Sequence, residues 1–383
     1  LSLFTVPICE DLGISRSAFS TFSTILSVMG MILSPIAGKL CATKNTRMIM
    51  TGTLIIGVIG YRGISFVQNV GLLYALAVII GFGSSFCTTV PIAVILTRWF
   101  VKARGTAMSI TFAGSSVGAM ILSPIISKII ADTSWRAAIR YLGIGMLVVL
   151  VPLVFLIIRT KPEDKGLKAL GADEAPAAGT GSAPANDVGL PLKELQKKPI
   201  FWIYVLAIFI MLLTMGAMYH MAAHVSMIVD AAAAAKFVSI FSLIAIGGKL
   251  LMGAVFDKSL TGGILLGTVS MALCFVFLLI AKNFTMLLPV ALFYGLGSAH
   301  ATIFPPTLTG RFFGSKYYGE IFGFVNSFAS LSMAVNGLVM AALFDATGTY
   351  TLAWIFGLAA AILATVLLFV SLKGTRSLLI EQK

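Results

Sequence analysis

The sequence predicts an all-α polytopic membrane protein of twelve transmembrane helices, the first incomplete, arranged as two six-helix halves. Three observations predict it. The 383 residues are 58% hydrophobic and 11% charged, against about 25% charged in a soluble domain. Eleven stretches almost free of Asp, Glu, Lys and Arg run along the chain, and a bilayer core of ~30 Å needs roughly 20 such residues of helix. The two parts of the chain also repeat each other at an offset of about 214 residues. So little polar surface cannot cover a water-facing globule, which excludes a soluble enzyme and a nucleic-acid binder. The net charge of +13 reads in such a chain as topology. Cys9, Cys41, Cys87 and Cys274 have neither metal-ligand spacing nor the density of a disulfide framework and read as small apolar residues.

In chain order, the uncharged stretches are 17–38, 48–61, 63–97, 105–127, 141–158, 200–229, 237–248, 259–281, 283–310, 321–344 and 346–372. The second reaches span length with Arg62 at its mouth, and the seventh continues past Lys249 to Phe256. Leu1 to Ile8 is apolar but stops at Glu10-Asp11, so it reads as the remainder of a first helix. It has neither the basic start nor the cleavage site of a signal peptide. With both termini placed in the cytoplasm, nineteen Lys and Arg fall in inner segments and seven in outer ones, with Lys249 inside a helix. That distribution obeys the positive-inside rule. Residues 160–199 hold GADEAPAAGTGSAPANDVG, a composition that predicts a flexible cytoplasmic linker. The expected domains are therefore 1–159, the linker 160–199, and 200–383.

The repeat aligns Gly81-Phe82-Gly83-Ser84 with Gly295-Leu296-Gly297-Ser298, and Pro91 with Pro305. A one-residue slip places Arg98-Trp99-Phe100 on Arg311-Phe312-Phe313, Gly105 falls on Gly319 at the original offset, and Gly38, ending the second helix, falls on Gly253, ending the eighth, one residue the other way. Two parallel six-helix repeats joined by an inner linker match a secondary transporter with its site at the midplane between them.

The run Arg98-Trp99-Phe100 followed by RGTAMSITFAGSSVG (Arg104–Gly118) resembles the fifth-helix signature of the monocarboxylate and oxalate/formate transporters, branches of the major facilitator superfamily. GRFFGSKYYGEIFG (Gly310–Gly323) and Leu343-Phe344-Asp345-Ala346-Thr347-Gly348 resemble the second half of the same branches. The superfamily's loop pattern Gly-x-Leu-Ala-Asp-Arg is degraded in the first half, where Gly38 and Arg47 survive but Ala42 replaces the aspartate. The second half keeps Gly253, Asp257 and Lys258.

Lys249 is the sharpest candidate for chemistry. It lies eight residues before Asp257, roughly 12 Å from the inner end at 1.5 Å per residue, where a lysine costs at least ~2.5 kcal/mol on insertion scales. Side chains tilt toward the N-terminus of their helix. In a helix running outside to inside, that aims Lys249 at the midplane. Its place resembles that of a cation in the monocarboxylate carriers, which implies an anchor for a substrate anion; structural pairing is the other reading. His220 and His300 read equally as site residues or as interhelical hydrogen-bond groups, and His224 reads as the latter. Asn326 and Tyr219 complete the expected substrate-binding set, with helix packing as their alternative. Gly114 and Gly118 read as close-packing surfaces. Arg98, Arg104, Asp257, Lys258 and Arg311 lie at inner helix ends as gating or structural charges.

No nucleophile–base pair, metal cluster or phosphate-binding loop occurs among these residues, so neither an enzyme, a metal site, a cofactor nor an ATP-driven pump is expected. The expected function is a secondary active transporter for a small organic anion in the cytoplasmic membrane, acting as a monomer, with a small carboxylate as substrate and the lipid bilayer as surroundings. Ala245 stands where the proton-coupled carriers of the resembled family hold an aspartate, so coupling to protons should be weak unless His220 or His300 supplies it. One fixed interior cation balances one carboxylate, which favours a monocarboxylate of lactate or pyruvate size. The alternatives are an oxalate/formate-type exchanger and a transporter-fold sensor that does not translocate.

Overall fold

The computed structural model describes residues 2–172 and 189–380. A short helix, α1 (Ser2–Leu12), precedes α2 (Arg16–Thr43), α3 (Thr46–Gly63), α4 (Val70–Trp99), α5 (Arg104–Asp132) and α6 (Trp135–Ile157). The second half comprises α7 (Pro199–Ile228), α8 (Ala231–Lys258), α9 (Leu260–Ile280), α10 (Phe284–Gly297 continued by Phe304–Phe313), α11 (Tyr318–Thr347) and α12 (Thr351–Ile380). Among the described residues, all but α1 contain a segment long and apolar enough to cross a membrane.

Polar residues in the turns start these helices. Asn69, Ser134, Asp230, Ser259 and Asn283 each accept a hydrogen bond from the backbone N–H three residues on, satisfying a donor that a helix start leaves unpaired. Proline interrupts them at equivalent places in the two halves. The α4 helix breaks between Ser85 and Thr89, just before Pro91, and α10 passes through a 3-10 turn at Ser298–Ala301 before Pro305. Without its N–H, proline cannot close the helical bond to the preceding turn.

The second half encloses one continuous core that includes Phe201, Tyr204, Phe237, Phe275, Phe304 and Trp354. The first half has two smaller ones. Phe4 and Ile8 of α1 join Phe19, Phe22 and Trp135 in one; Val90, Val94 and Met108 join Tyr318 and Phe322 of α11 in the other. The second cluster draws on both halves, which meet where α2 packs on α11 and α5 on α8.

The first part of the linker differs from the flexible segment expected. The Thr160 hydroxyl accepts the Thr46 N–H at 3.1 Å, and Pro162–Lys165 forms a 3-10 turn. The Leu170 N–H donates to the Trp99 carbonyl at 2.9 Å, while its own carbonyl accepts from Val101 and Lys102 at 3.0 Å each. The α4–α5 connection thus supplies the partners that a free coil would take from water. The Gly/Ala/Pro-rich tract itself, residues 173–188, lies outside the described residues.

Candidate functional site

The halves touch through glycines, and they are the glycines the repeat aligned. Gly38 of α2 abuts the Gly319 carbonyl of α11, and a Cβ on Gly323 would lie 2.5 Å from the Ser34 carbonyl. On the other interface, a Cβ on Gly105 would lie 2.7 Å from the Gly253 carbonyl. Both crossings sit at the linker end of the helices, where bare backbone lets the halves approach closely.

The charges around these crossings differ between the two. Asp257 on α8 accepts the Gly105 and Thr106 N–H groups of α5 at 2.7 Å each, capping that helix from the opposite half. The Arg311 Nη2 lies 3.9 Å from the same carboxylate. A carboxylate at a helix N-terminus satisfies unpaired donors and meets the positive end of the dipole. At the equivalent place on α2, Ala42 contributes only a methyl group, 2.8 Å from where a Cβ on Gly319 would lie. Arg98 donates to the Ala42 carbonyl. Arg104, 8% exposed, donates to the Phe100 and Thr97 carbonyls at 3.0 and 3.2 Å, and Lys258 is exposed.

Lys249 sits deeper on the α5–α8 interface. It is 9% exposed, and its Nζ donates to the Ser116 Oγ at 2.9 Å. Counting at 1.5 Å per residue, its backbone lies roughly 13 Å from the linker end of α8, and Ser116 roughly 18 Å along α5. The side chain therefore runs toward the midplane. Among the described residues no ion pair involves Lys249; the recorded pairs are Arg136–Asp11 and Arg311–Asp257. A Cβ added to Gly114, Gly118 or Gly247 would meet nothing within 4 Å. Gly114 and Gly118 thus border open space instead of the close packing expected of them. Ser34, the repeat partner of Lys249, accepts a hydrogen bond from Asn326 Nδ2 at 2.8 Å across the α2–α11 interface.

The histidines do not join this group. His220 Nε2 is 3.2 Å from the Gly337 carbonyl and Nδ1 is 3.4 Å from the Tyr350 hydroxyl, so α11 and the turn after it occupy both nitrogens. His224 presents its ring to Tyr350 and Trp354, each 5.3 Å away. His300, 1% exposed, is enclosed in the second-half core with its ring 4.6 Å from Phe304 and against Gly267. The side chain of Tyr219 lies outside the described residues. Sequence reasoning missed Ser116 as a partner for Lys249. The available signal was its place in the fifth-helix signature, one turn of small residues beyond Phe112.

Comparison with known proteins places this architecture. A model of the Major Facilitator Superfamily matches residues 1–264. The chain belongs to that superfamily. It is 24% identical over 398 residues to monocarboxylate transporter 12 of Mus musculus, covering 96% of this chain and 80% of that protein. It is 25% identical over 210 residues to the oxalate:formate antiporter of Oxalobacter formigenes, covering 54% of this chain and 46% of that protein. Among solved structures, the human organic anion transporter MFSD10 superposes with a TM-score of 0.68 at 16% identity, covering 94% of this chain and 87% of that one. The E. coli fucose:proton symporter FucP does so with the same score at 14% identity, covering 96% and 94%.

As a superfamily transporter, the protein carries two kinds of chemistry on its α5–α8 interface. Asp257 joins the halves at the linker end, and a buried ammonium that meets a neutral hydroxyl lies further in. The first can hold a conformation closed on that side. The second can receive an anion.

Proposed function

We propose that the protein transports a small monocarboxylate of lactate or pyruvate size across the cytoplasmic membrane by alternating access, with Lys249 holding the carboxylate. One observation carries this reading: a buried ammonium whose recorded partner is the neutral Ser116 hydroxyl. An ionised lysine inside a bilayer is costly, and an incoming carboxylate lowers that cost by neutralising it. A dianion would leave a second carboxylate unbalanced. Ser116 is the second donor to the anion, and Asn326, which bonds Ser34 at similar depth on the other interface, would meet its remaining oxygens.

The bodies that rock are residues 1–159 and 200–383, joined by 160–199. The linker face is cytoplasmic, by the nineteen-to-seven distribution of Lys and Arg. The closely packed glycines then close this conformation on its cytoplasmic side. The protein works as a monomer, and proton coupling is weak, because Ala245 supplies no carboxylate beside Lys249 and His220 and His300 are turned to helix partners and core.

The test is uptake of labelled lactate into proteoliposomes. Lys249→Ala should abolish it, and Lys249→Arg should keep a measurable part, since charge survives while geometry changes. Wild-type rates in Lys249→Ala would sink the anchor. Oxalate outcompeting lactate would point to the exchanger instead.

A further inference from the structure

We propose that a cavity on the linker face, between the start of α3 and the end of α6, binds the phosphate of a membrane phospholipid headgroup. The cavity holds about 240 Å³ and is lined by Asn45, Arg47, Arg159, Thr160 and Asp164. It is remote from Lys249 and serves no step of the transport reading.

Three of the lining residues, Arg47, Arg159 and Asp164, contribute the recognition elements. The Arg47 guanidinium lies 4.9 Å above the ring of Phe155, and Phe155 is 41% exposed on the outer surface of α6. The guanidinium is thereby held at the lipid boundary by its stacking on an aromatic face. Arg159 donates through Nη1 to the Leu156 and Ile158 carbonyls at 2.8 and 2.9 Å, which fixes its fork on the last turn of α6 and leaves other donors of that fork to face the cavity. Neither arginine has an ion-pair partner among the described residues. Two arginines that line one cavity at the start of a helix supply the kind of donors that phosphate oxygens take up. Basic pockets between transmembrane helices on the cytoplasmic side bind lipid headgroups in this way.

Asp164 decides which headgroup. Its Oδ2 accepts the Lys161 N–H at 3.1 Å, which leaves the carboxylate lone pairs for a donor inside the cavity. A choline headgroup has no N–H or O–H to offer, whereas ethanolamine and glycerol headgroups do. The lipid side is favoured over a soluble phosphate because Leu156 and Ile157, in the turn of α6 just before Arg159, are 64% and 62% exposed on its apolar surface.

Native mass spectrometry of the purified full chain, titrated with phosphatidylglycerol, phosphatidylethanolamine, phosphatidylcholine and diacylglycerol, tests the assignment. Phosphatidylglycerol and phosphatidylethanolamine should bind about tenfold tighter than phosphatidylcholine, the worth of one hydrogen bond to a charged acceptor, and diacylglycerol should not be retained. Arg47→Gln and Arg159→Gln should each weaken binding about tenfold, and Lys39→Gln, exposed and outside the cavity, should leave it unchanged. If either arginine variant does not fold, Asp164→Asn still tests the site, because it should remove the preference over phosphatidylcholine while keeping phosphate binding. The proposal is overturned if diacylglycerol binds as tightly as phosphatidylglycerol, or if the folded arginine variants retain lipid as the wild type does. Thermal protection by inorganic phosphate without protection by lipid would assign a soluble ligand and overturn the lipid assignment.

Discussion

Replacing Asp257 by Asn should release the linker end of the α5–α8 interface while leaving its shape intact. In the wild type both carboxylate oxygens accept backbone N–H groups at 2.7 Å, and the side chain is 17% exposed. An asparagine keeps one carbonyl oxygen and turns an NH2 group toward the second N–H. One charge-assisted bond is lost and the other becomes neutral, at about 1.5–3 kcal/mol for a bond to a charged group. The Arg311 contact adds little, because at 3.9 Å and 43% exposure it is solvent-screened. A net loss of about 2–3 kcal/mol corresponds to a roughly 30- to 150-fold fall in the ratio of linker-closed to linker-open protein. Spin labels at positions 102 and 258, both exposed and on opposite sides of the contact, would report it by double electron–electron resonance in a cysteine-free background. A longer-distance population should appear or grow in Asp257→Asn. An unchanged distance distribution would refute the latch.

Two further substitutions separate the two interfaces. Ala42→Asp should add to the start of α11 the cap that α5 already has, narrowing the distance distribution across the linker face and slowing uptake; faster uptake would contradict it. Ser116→Ala should raise the substrate concentration for half-maximal uptake about threefold to tenfold, with a smaller effect on maximal rate, since one neutral hydrogen bond contributes about 0.5–1.5 kcal/mol. A purely structural role would instead lower the thermal midpoint and leave the half-saturation concentration alone.

Most of the helical architecture was legible in the sequence because a bilayer imposes long uncharged runs, and each of the eleven runs corresponds to a helix. The repeat also had spatial meaning. Gly38 and Gly253 aligned in sequence and occupy matching crossings, because at such a contact only a missing side chain fits. Composition misled at the linker, where residues 160–172 find backbone partners in the α4–α5 connection that no local signal announces. Histidine was harder still. An imidazole in an apolar helix reads alike as ligand or as helix glue, and only the positions of Gly337, Tyr350 and Phe304 show what His220 and His300 touch. Ser116 was hidden for the opposite reason, since a serine among small residues reads as packing until a lysine from another helix reaches it.

The asymmetry between two nearly symmetric interfaces suggests how substrate and closure communicate. The α2–α11 contact has no carboxylate cap: Ala42 lies at its linker end, where its carbonyl accepts from Arg98, and the neutral Ser34–Asn326 bond lies further in. The α5–α8 contact carries Asp257 at its linker end and Lys249 eight residues deeper on the same helix, roughly 12 Å apart. A carboxylate that draws the ammonium from Ser116 alters the packing between the two helices that Asp257 holds together, while the α2–α11 interface has only the neutral Ser34–Asn326 pair at the equivalent depth. Our hypothesis is that the α5–α8 contact gates and the α2–α11 contact pivots. A ligand shifts such an equilibrium only by its differential affinity for the two states, so the anchor and the latch should be energetically coupled. In a double-mutant cycle of Lys249→Ala and Asp257→Asn, read by the 102–258 distance with and without lactate, the lactate-dependent shift should vanish in both variants carrying Lys249→Ala. In the presence of lactate the two substitutions should be non-additive by at least about 0.5 kcal/mol. Additive behaviour would mean that the two sites act independently and that closure is driven elsewhere in the bundle.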